Sequence, residues 1–98
     1  MIGQDEQMAA LHRRFLVEAE ADCSVCRGAL EDGDFELLRR SAHRLAGRGG
    51  MFGYPKVSKA AERLEDALLA SAGRETIALL GGELLTCLQQ LNQEREGS

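Results

Sequence analysis

Residues 34–53 read DFELLRRSAHRLAGRGGMFG and contain the clearest helical pattern in the chain. Apolar or small side chains recur there at intervals of 3, 4, 3, 4 and 3 residues, which is the period of one face of an α-helix. The positions on this face are Phe35, Leu38, Ala42, Leu45, Gly49 and Phe52. The pattern predicts an amphipathic helix that turns this face toward a core and ends at about Phe52.

His43 follows the apolar position Ala42, about 100° around the helix. We expect it at the edge of the buried face, with one side of the ring supported by the protein and one ring nitrogen reachable by solvent. Gly47 and Gly50 lie four and seven residues later, on the same face as His43. Since an interior glycine costs about 1 kcal/mol relative to alanine, these glycines predict a notch in which another protein approaches the imidazole.

Working outward, similar spacing predicts three more helices, over about residues 5–30, 54–70 and 74–93. Gly33 suits a helix C-terminal cap and Asp34 suits the N-cap of the next helix. Gly53 ends the second helix, and Pro55 is tolerated in the first turn of the third. Short connections favour antiparallel neighbours. The sequence therefore predicts an all-α fold, an antiparallel up-down-up-down four-helix bundle, as a single domain over residues 1–98.

Composition narrows the class of protein. The 98 residues carry a net charge of −4, which argues against nucleic acid as a partner. No apolar run is long enough to cross a membrane, and the polar, acidic N-terminal residues do not form a signal peptide. We expect a cytoplasmic protein with no membrane partner. The arginines around His43 form a basic patch that suits an acidic site on a protein partner, although such a row is also typical of a solvated helix face.

The residues around His43 resemble the histidine phosphotransfer (HPt) domains of two-component phosphorelays. The family pattern matches His43, Leu45, Gly47 and the pair Phe52-Gly53. The resemblance extends over about residues 8–91 and includes Phe15-Leu16, Gly33-Asp34, Tyr54-Pro55, Ala61, Leu64 and Glu65. It implies a four-helix bundle whose exposed histidine, His43, accepts a phosphoryl group from a receiver-domain aspartate and passes it on.

One position departs from the family pattern. The family usually has a lysine three residues after the histidine, where its charge meets the phosphoryl group, and this chain has Ala46. We expect Arg40, Arg44 and Arg48 to supply the missing positive charge, with Arg40 best placed to share the face of His43.

A phosphorylated histidine needs Nε2 exposed and Nδ1 hydrogen-bonded to an acceptor that fixes the tautomer. The third helix offers Glu62 and Glu65 as acceptors, and resemblance to the phosphotransfer domains of chemotaxis kinases favours Glu65. The alternative is that these glutamates only pair with Arg63 or with arginines of the second helix.

The chain has no phosphate-binding loop and no acidic cluster for Mg²⁺. We therefore expect no cofactor on this chain, and Mg²⁺ on the partner. The resemblance implies response-regulator receiver domains and a hybrid histidine kinase as partners, and we expect a monomer without autonomous kinase activity. The starting Met favours a free-standing carrier. The alternative function is a helical adaptor that binds a receiver or kinase without transferring phosphate.

A third hypothesis, a metal or thiol-redox protein, rests on Cys23 and Cys26. A zinc site normally needs four ligands, and the chain has no second C-x-x-C or histidine pair. Both cysteines, and Cys87 of the fourth helix, fall on predicted apolar faces, so we interpret them as reduced core residues. His12 is interpreted as a surface or boundary residue.

Overall fold

The computed structural model describes the backbone of residues 2–97 and the side chains of residues 6–91 and 93. Its four helices are α1 (Ile2–Asp32), α2 (Phe35–Met51), α3 (Pro55–Leu69) and α4 (Arg74–Gly97). No strand occurs in residues 2–97, so the predicted all-α, four-helix fold is confirmed. Met1 and Ser98, the ends of the domain predicted over residues 1–98, lie outside the described residues.

The helix ends differ from prediction mainly in α1 and α4. α1 begins three residues earlier and ends two residues later than expected, and α4 continues four residues beyond position 93. The extension of α4 runs through Glu, Arg and Glu, which are good helix formers and give no stop signal. The paired helices α2 and α3 are shorter, with 17 and 15 residues.

The connections between helices use the expected cap residues with one exception. Gly33 and Gly53 have φ values of +70° and +82°, which L side chains rarely adopt. Asp34 caps α2, since its carboxylate accepts a hydrogen bond from the backbone N–H of Leu37 at 3.2 Å. After α3 the left-handed residue is Ser71, with φ +56°, although the sequence suggested Gly73 as the residue that breaks the helix.

Each helix packs against two others: α1 and α3 both contact α2 and α4. The cross-helix contacts that fix the register of α2 are Arg44–Asp22, Arg48–Glu18, His43–Glu65 and Ser58–Ala46. In each set the residue numbers rise along one helix as they fall along the other. α2 is therefore antiparallel to both α1 and α3, which brings the middle of α3 beside His43.

The core lies between the four helices and consists of aliphatic and small side chains with one aromatic ring. Its buried members are Phe15, Ala19, Cys23, Cys26, Ala29, Leu38, Ala42, Leu45, Val57, Ala60, Ala61, Leu64, Ile77, Leu84, Leu88 and Leu91. The placement of Cys87 on the buried face of α4 was wrong in detail. Leu88 takes the buried position, and Cys87 is half-buried at the edge, with Sγ 4.0 Å from the carbonyl oxygen of Lys56.

An aromatic cluster holds the turn between α2 and α3 against α1. The ring of Phe15 stacks on Tyr54 with centroids 5.0 Å apart and lies 5.4 Å from the ring of Phe52. His12 is half-buried, and its ring lies 6.0 Å from Tyr54 and 6.5 Å from Phe52. His12 is thus a boundary residue, as predicted, and these contacts fix the C-terminal end of α2 beyond His43.

Candidate functional site

His43 lies in the middle of α2 with 75% of its side chain exposed. Its Nδ1 atom is 2.8 Å from Oε2 of Glu65 on α3. Since a carboxylate only accepts hydrogen bonds, this contact favours the tautomer in which Nδ1 carries the proton and donates it. Nε2 then keeps its lone pair. The ring is more exposed than the predicted edge position, because core residues such as Leu45 lie on the opposite side of α2.

Glu65 is held where it can orient the imidazole. Its side chain is only 16% exposed, whereas Glu62, the other predicted acceptor, is on the exposed face of α3. The alternative pairing of these glutamates with Arg63 is not observed, because Arg63 contacts Glu83 of α4 at 3.4 Å. The structure therefore brings together the two residues, His43 and Glu65, that the family resemblance paired.

Close packing of α2 on α3 makes this contact possible. A Cβ atom on Gly49 would lie 2.9 Å from the backbone nitrogen of Ser58 and 3.2 Å from the carbonyl oxygen of Tyr54, so only glycine fits without a shift of α3. The Ser58 hydroxyl donates to the carbonyl oxygen of Ala46 at 2.7 Å. The sequence placed Gly49 on the buried face, but its role in the approach of the two backbones emerges only from the structure.

The predicted notch beside His43 is present. Gly47 and Gly50 are exposed, and a Cβ atom on Gly47 would meet no atom within 4 Å. A Cβ atom on Gly50 would make ordinary contact, 3.6 Å, with the hydroxyl of Ser58. Ala46, at the position of the usual family lysine, adds only a methyl group. The surface C-terminal to His43 is therefore low, uncharged and open to a partner.

Two of the predicted arginines are occupied by carboxylates of α1. Arg44 contacts Asp22 at 3.1 Å and Arg48 contacts Glu18 at 3.0 Å. Glu18 and Asp22 are four residues apart on α1, as Arg44 and Arg48 are on α2. Sequence reasoning missed these two carboxylates, although the matched spacing of the two rows was the available signal.

Burial makes Asp22 the most perturbed carboxylate near the site. Its side chain is 9% exposed, and this burial raises its pKa above the ordinary value of 3.8, although Arg44 and Arg48 act in the opposite direction. Removal of Arg44 would leave this carboxylate buried without its hydrogen-bond partner. Arg44 therefore has a structural role between α1 and α2.

The remaining predicted arginine, Arg40, is on the exposed face of α2. Its Nε atom lies 3.7 Å from the carboxylate of Glu36, one turn earlier on the same helix. Arg39 binds the same carboxylate more closely, at 2.7 Å. Hydrogen bonding from Arg39 lowers the pKa of Glu36. These arginines are thus held within α2, unlike Arg44 and Arg48.

Cys23 and Cys26 are buried free thiols in the core, as predicted. Burial raises the pKa of Cys26 to about 11, so its reactive thiolate form is rare at neutral pH. Within the described residues, no group of three or more His, Cys, Asp and Glu side chains could hold a metal ion. No helix in the described part of the chain is both long and apolar enough to cross a membrane.

Comparison with known proteins places this geometry in a family. The model of the Hpt domain family matches residues 10–94. The chain therefore belongs to the Hpt domain family, whose members have a histidine phosphotransfer role in two-component signalling and interact with receiver domains and kinases. No curated protein and no solved structure matches the chain.

Proposed function

We propose that this protein relays phosphoryl groups between receiver-domain aspartates, with His43 as the residue that is phosphorylated. The observation that carries the proposal is the 2.8 Å contact between Nδ1 of His43 and Glu65, on a ring that is otherwise exposed. It combines a reachable Nε2 atom with a fixed tautomer, and it occurs within a match to the Hpt domain family.

In the proposed reaction, Nε2 of His43 attacks the phosphorus of an aspartyl phosphate on the partner. A bond forms between Nε2 and phosphorus while the bond from phosphorus to the aspartyl oxygen breaks, and the electron pair returns to the aspartate carboxylate. The ring becomes positively charged and keeps its proton on Nδ1, where the Glu65 carboxylate stabilises it. The reverse reaction passes the phosphoryl group to the next receiver.

Phosphoryl transfer depends chiefly on positioning and on neutralising charge. In this proposal the receiver supplies the aspartate and Mg²⁺, and a hybrid histidine kinase lies upstream. Gly47 and Gly50 leave room for the receiver, while the arginines of α2 attract its acidic site. The setting we propose is a cytoplasmic monomer acting on protein partners and not on nucleic acid.

A non-catalytic adaptor is the second candidate, and one observation favours it. The position three residues after His43 is Ala46, so the usual family cation is missing. Two of the arginines expected to replace it, Arg44 and Arg48, are engaged by α1. An adaptor would bind a receiver but would never remove its phosphoryl group.

The deciding experiment mixes the protein with phosphorylated receivers and Mg²⁺ and follows label that is lost in acid and retained in base. We expect the wild type to become labelled and His43→Gln to remain unlabelled, since glutamine lacks the nucleophilic nitrogen. His12→Gln is the matched control, because it removes the other histidine from a position outside the site, and it should label like the wild type.

Circular dichroism should show helical spectra for all three proteins, which separates loss of chemistry from loss of fold. Label on His43→Gln would exclude His43 as the phosphorylated residue. Binding of receivers without labelling of the wild type would instead support the adaptor.

A further inference from the structure

The four arginines near His43 form two structural groups. Arg44 and Arg48 reach across to Asp22 and Glu18 and join α2 to α1. Arg39 and Arg40 make their ion pairs only within α2, both with Glu36. The first pair of arginines cannot leave without breaking contacts between helices, whereas the second pair can move without disturbing the packing of the bundle.

Helical geometry places Arg39 and Arg40 beside His43. They precede it by four and three residues, about 40° to one side and about 60° to the other side of its direction. Side chains of a helix lean toward its N-terminus, so the imidazole of His43 lies over the turn that carries these arginines. Residues three and four positions apart on a helix are surface neighbours.

Electrostatics links Arg39 to the pair formed by His43 and Glu65. The Glu65 carboxylate acts on the Arg39 guanidinium and contributes to raising its pKa, after the larger effect of Glu36. Arg39 is therefore close enough to α3 to feel the carboxylate that accepts the proton of Nδ1. Arg40 leans toward the other side of α2, so the two guanidinium groups flank the imidazole.

We infer that Arg39, together with Arg40, leaves Glu36 to neutralise the phosphoryl group on Nε2 of His43, and that Glu36 is the competing carboxylate. This inference rests on the proposed function, since it concerns the phosphorylated form of His43. It adds Arg39 and Glu36 to the site and assigns the charge of the missing lysine to the turn before His43.

The competition favours the phosphoryl group for two reasons. Ion pairs between exposed side chains of one helix are weak, and the carboxylate of Glu36 carries a single negative charge. A phosphoryl group carries nearly two negative charges at neutral pH and accepts two parallel hydrogen bonds from one guanidinium. Arg39 and Arg40 can therefore exchange partners when His43 is phosphorylated.

The test uses protein phosphorylated on His43 with phosphoramidate, a small donor that needs no partner protein. A His12→Gln background leaves one histidine to label. The pKa of the phosphoryl group is read from the pH dependence of its ³¹P NMR shift. We expect Arg39→Ala to raise this pKa by about 0.5 and Arg39→Lys to restore part of the difference. Glu36→Gln should lower it, because both arginines are freed.

Arg63→Ala is the matched control. Arg63 forms an exposed ion pair of the same kind, but with Glu83 on α4 and away from His43. Its removal should leave the phosphoryl pKa unchanged. A structural role for Arg39 alone would alter stability without moving this pKa.

Outcomes separate this inference from the proposed function. Equal phosphoryl pKa values in wild type, Arg39→Ala and Glu36→Gln would overturn the inference, even where receivers transfer phosphate normally to His43. Shifts of the expected sign, without any transfer from receivers, would support the inference and overturn the relay function. Failure of both phosphoramidate and receivers to label His43 would overturn both proposals.

Discussion

Asp22 shows how a single residue near the site couples structure to pH. It is a buried carboxylate on α1 that binds Arg44 of α2, the residue next to His43. Burial raises its pKa, so the folded state binds the Asp22 proton more tightly than the unfolded chain does. Ionised Asp22 therefore lowers stability relative to the neutral acid, even though Arg44 offsets part of the cost.

We predict the effect of Asp22→Asn from the sign of this shift. In the wild type, the Asp22 contribution to the free energy of unfolding falls as pH rises from 3.8 through the raised folded pKa, and is constant above that pKa. The asparagine variant lacks this contribution. Urea unfolding at a series of pH values should show the wild type losing stability relative to the variant across that window.

Glu18→Gln, measured in the same way, controls for removal of a carboxylate from α1. A wild type that gained stability relative to Asp22→Asn with rising pH would contradict the prediction. That result would mean that the ion pair with Arg44 outweighs burial of the carboxylate.

At the scale of single residues, the sequence was sufficient for His43 and for the nature of its acceptor. The period of α2 and the family resemblance together selected His43, and resemblance favoured Glu65 over Glu62. The sequence did not divide the arginines. Whether Arg44 turns toward His43 or toward α1 depends on Asp22, and that contact spans 22 positions of the chain.

The helix α2 contains glycines with opposite demands. Gly47 faces open space, whereas Gly49 lies against the backbone of α3 at Ser58. Periodicity separated them correctly into an exposed and a buried position. It could not show that Gly49 permits close approach of two helices, because that requirement depends on the distance between α2 and α3.

Alanine at these two positions should have opposite effects. Gly47→Ala should stabilise the protein by up to about 1 kcal/mol through helix propensity. It should nevertheless slow phosphotransfer, because the added methyl group fills the notch beside His43. Gly49→Ala should destabilise the protein by about 1–3 kcal/mol, because its Cβ atom would overlap the backbone nitrogen of Ser58.

Urea unfolding measures the stability of both variants, and the receiver assay measures the transfer rate of Gly47→Ala. Unchanged transfer by Gly47→Ala would show that the partner does not use the notch. Unchanged stability of Gly49→Ala would show that α3 moves away at little cost.

In the molecule as a whole, α1 and α4 meet at a glycine. A Cβ atom on Gly81 would lie 2.7 Å and 2.9 Å from the two methyl carbons of Leu30, while one on the neighbouring Gly82 would meet nothing within 4 Å. The sequence left this glycine pair unexplained, with close packing or a kink as the options. Close packing against Leu30 accounts for Gly81, and nothing in the structure explains Gly82.

This contact predicts a difference between neighbouring substitutions. Gly82→Ala should stabilise the protein by up to about 1 kcal/mol, as expected for an exposed helical site. Gly81→Ala should give less, because Leu30 must move. In a Leu30→Ala background the space is free, so the effect of Gly81→Ala should approach that of Gly82→Ala. Thermal or urea unfolding of the double-mutant cycle measures the coupling, and additive effects would contradict it.

The sequence by itself determined the number and approximate limits of the helices, the buried face of α2 and the exposed histidine. These features depend on residue spacing and local caps, which act within a few positions of the chain. Only the tertiary structure decided which carboxylate reaches Nδ1, which arginines are tied to α1 and which glycines stand against a neighbouring backbone. Those choices depend on the register and separation of helices that are distant in sequence, so local periodicity cannot encode them.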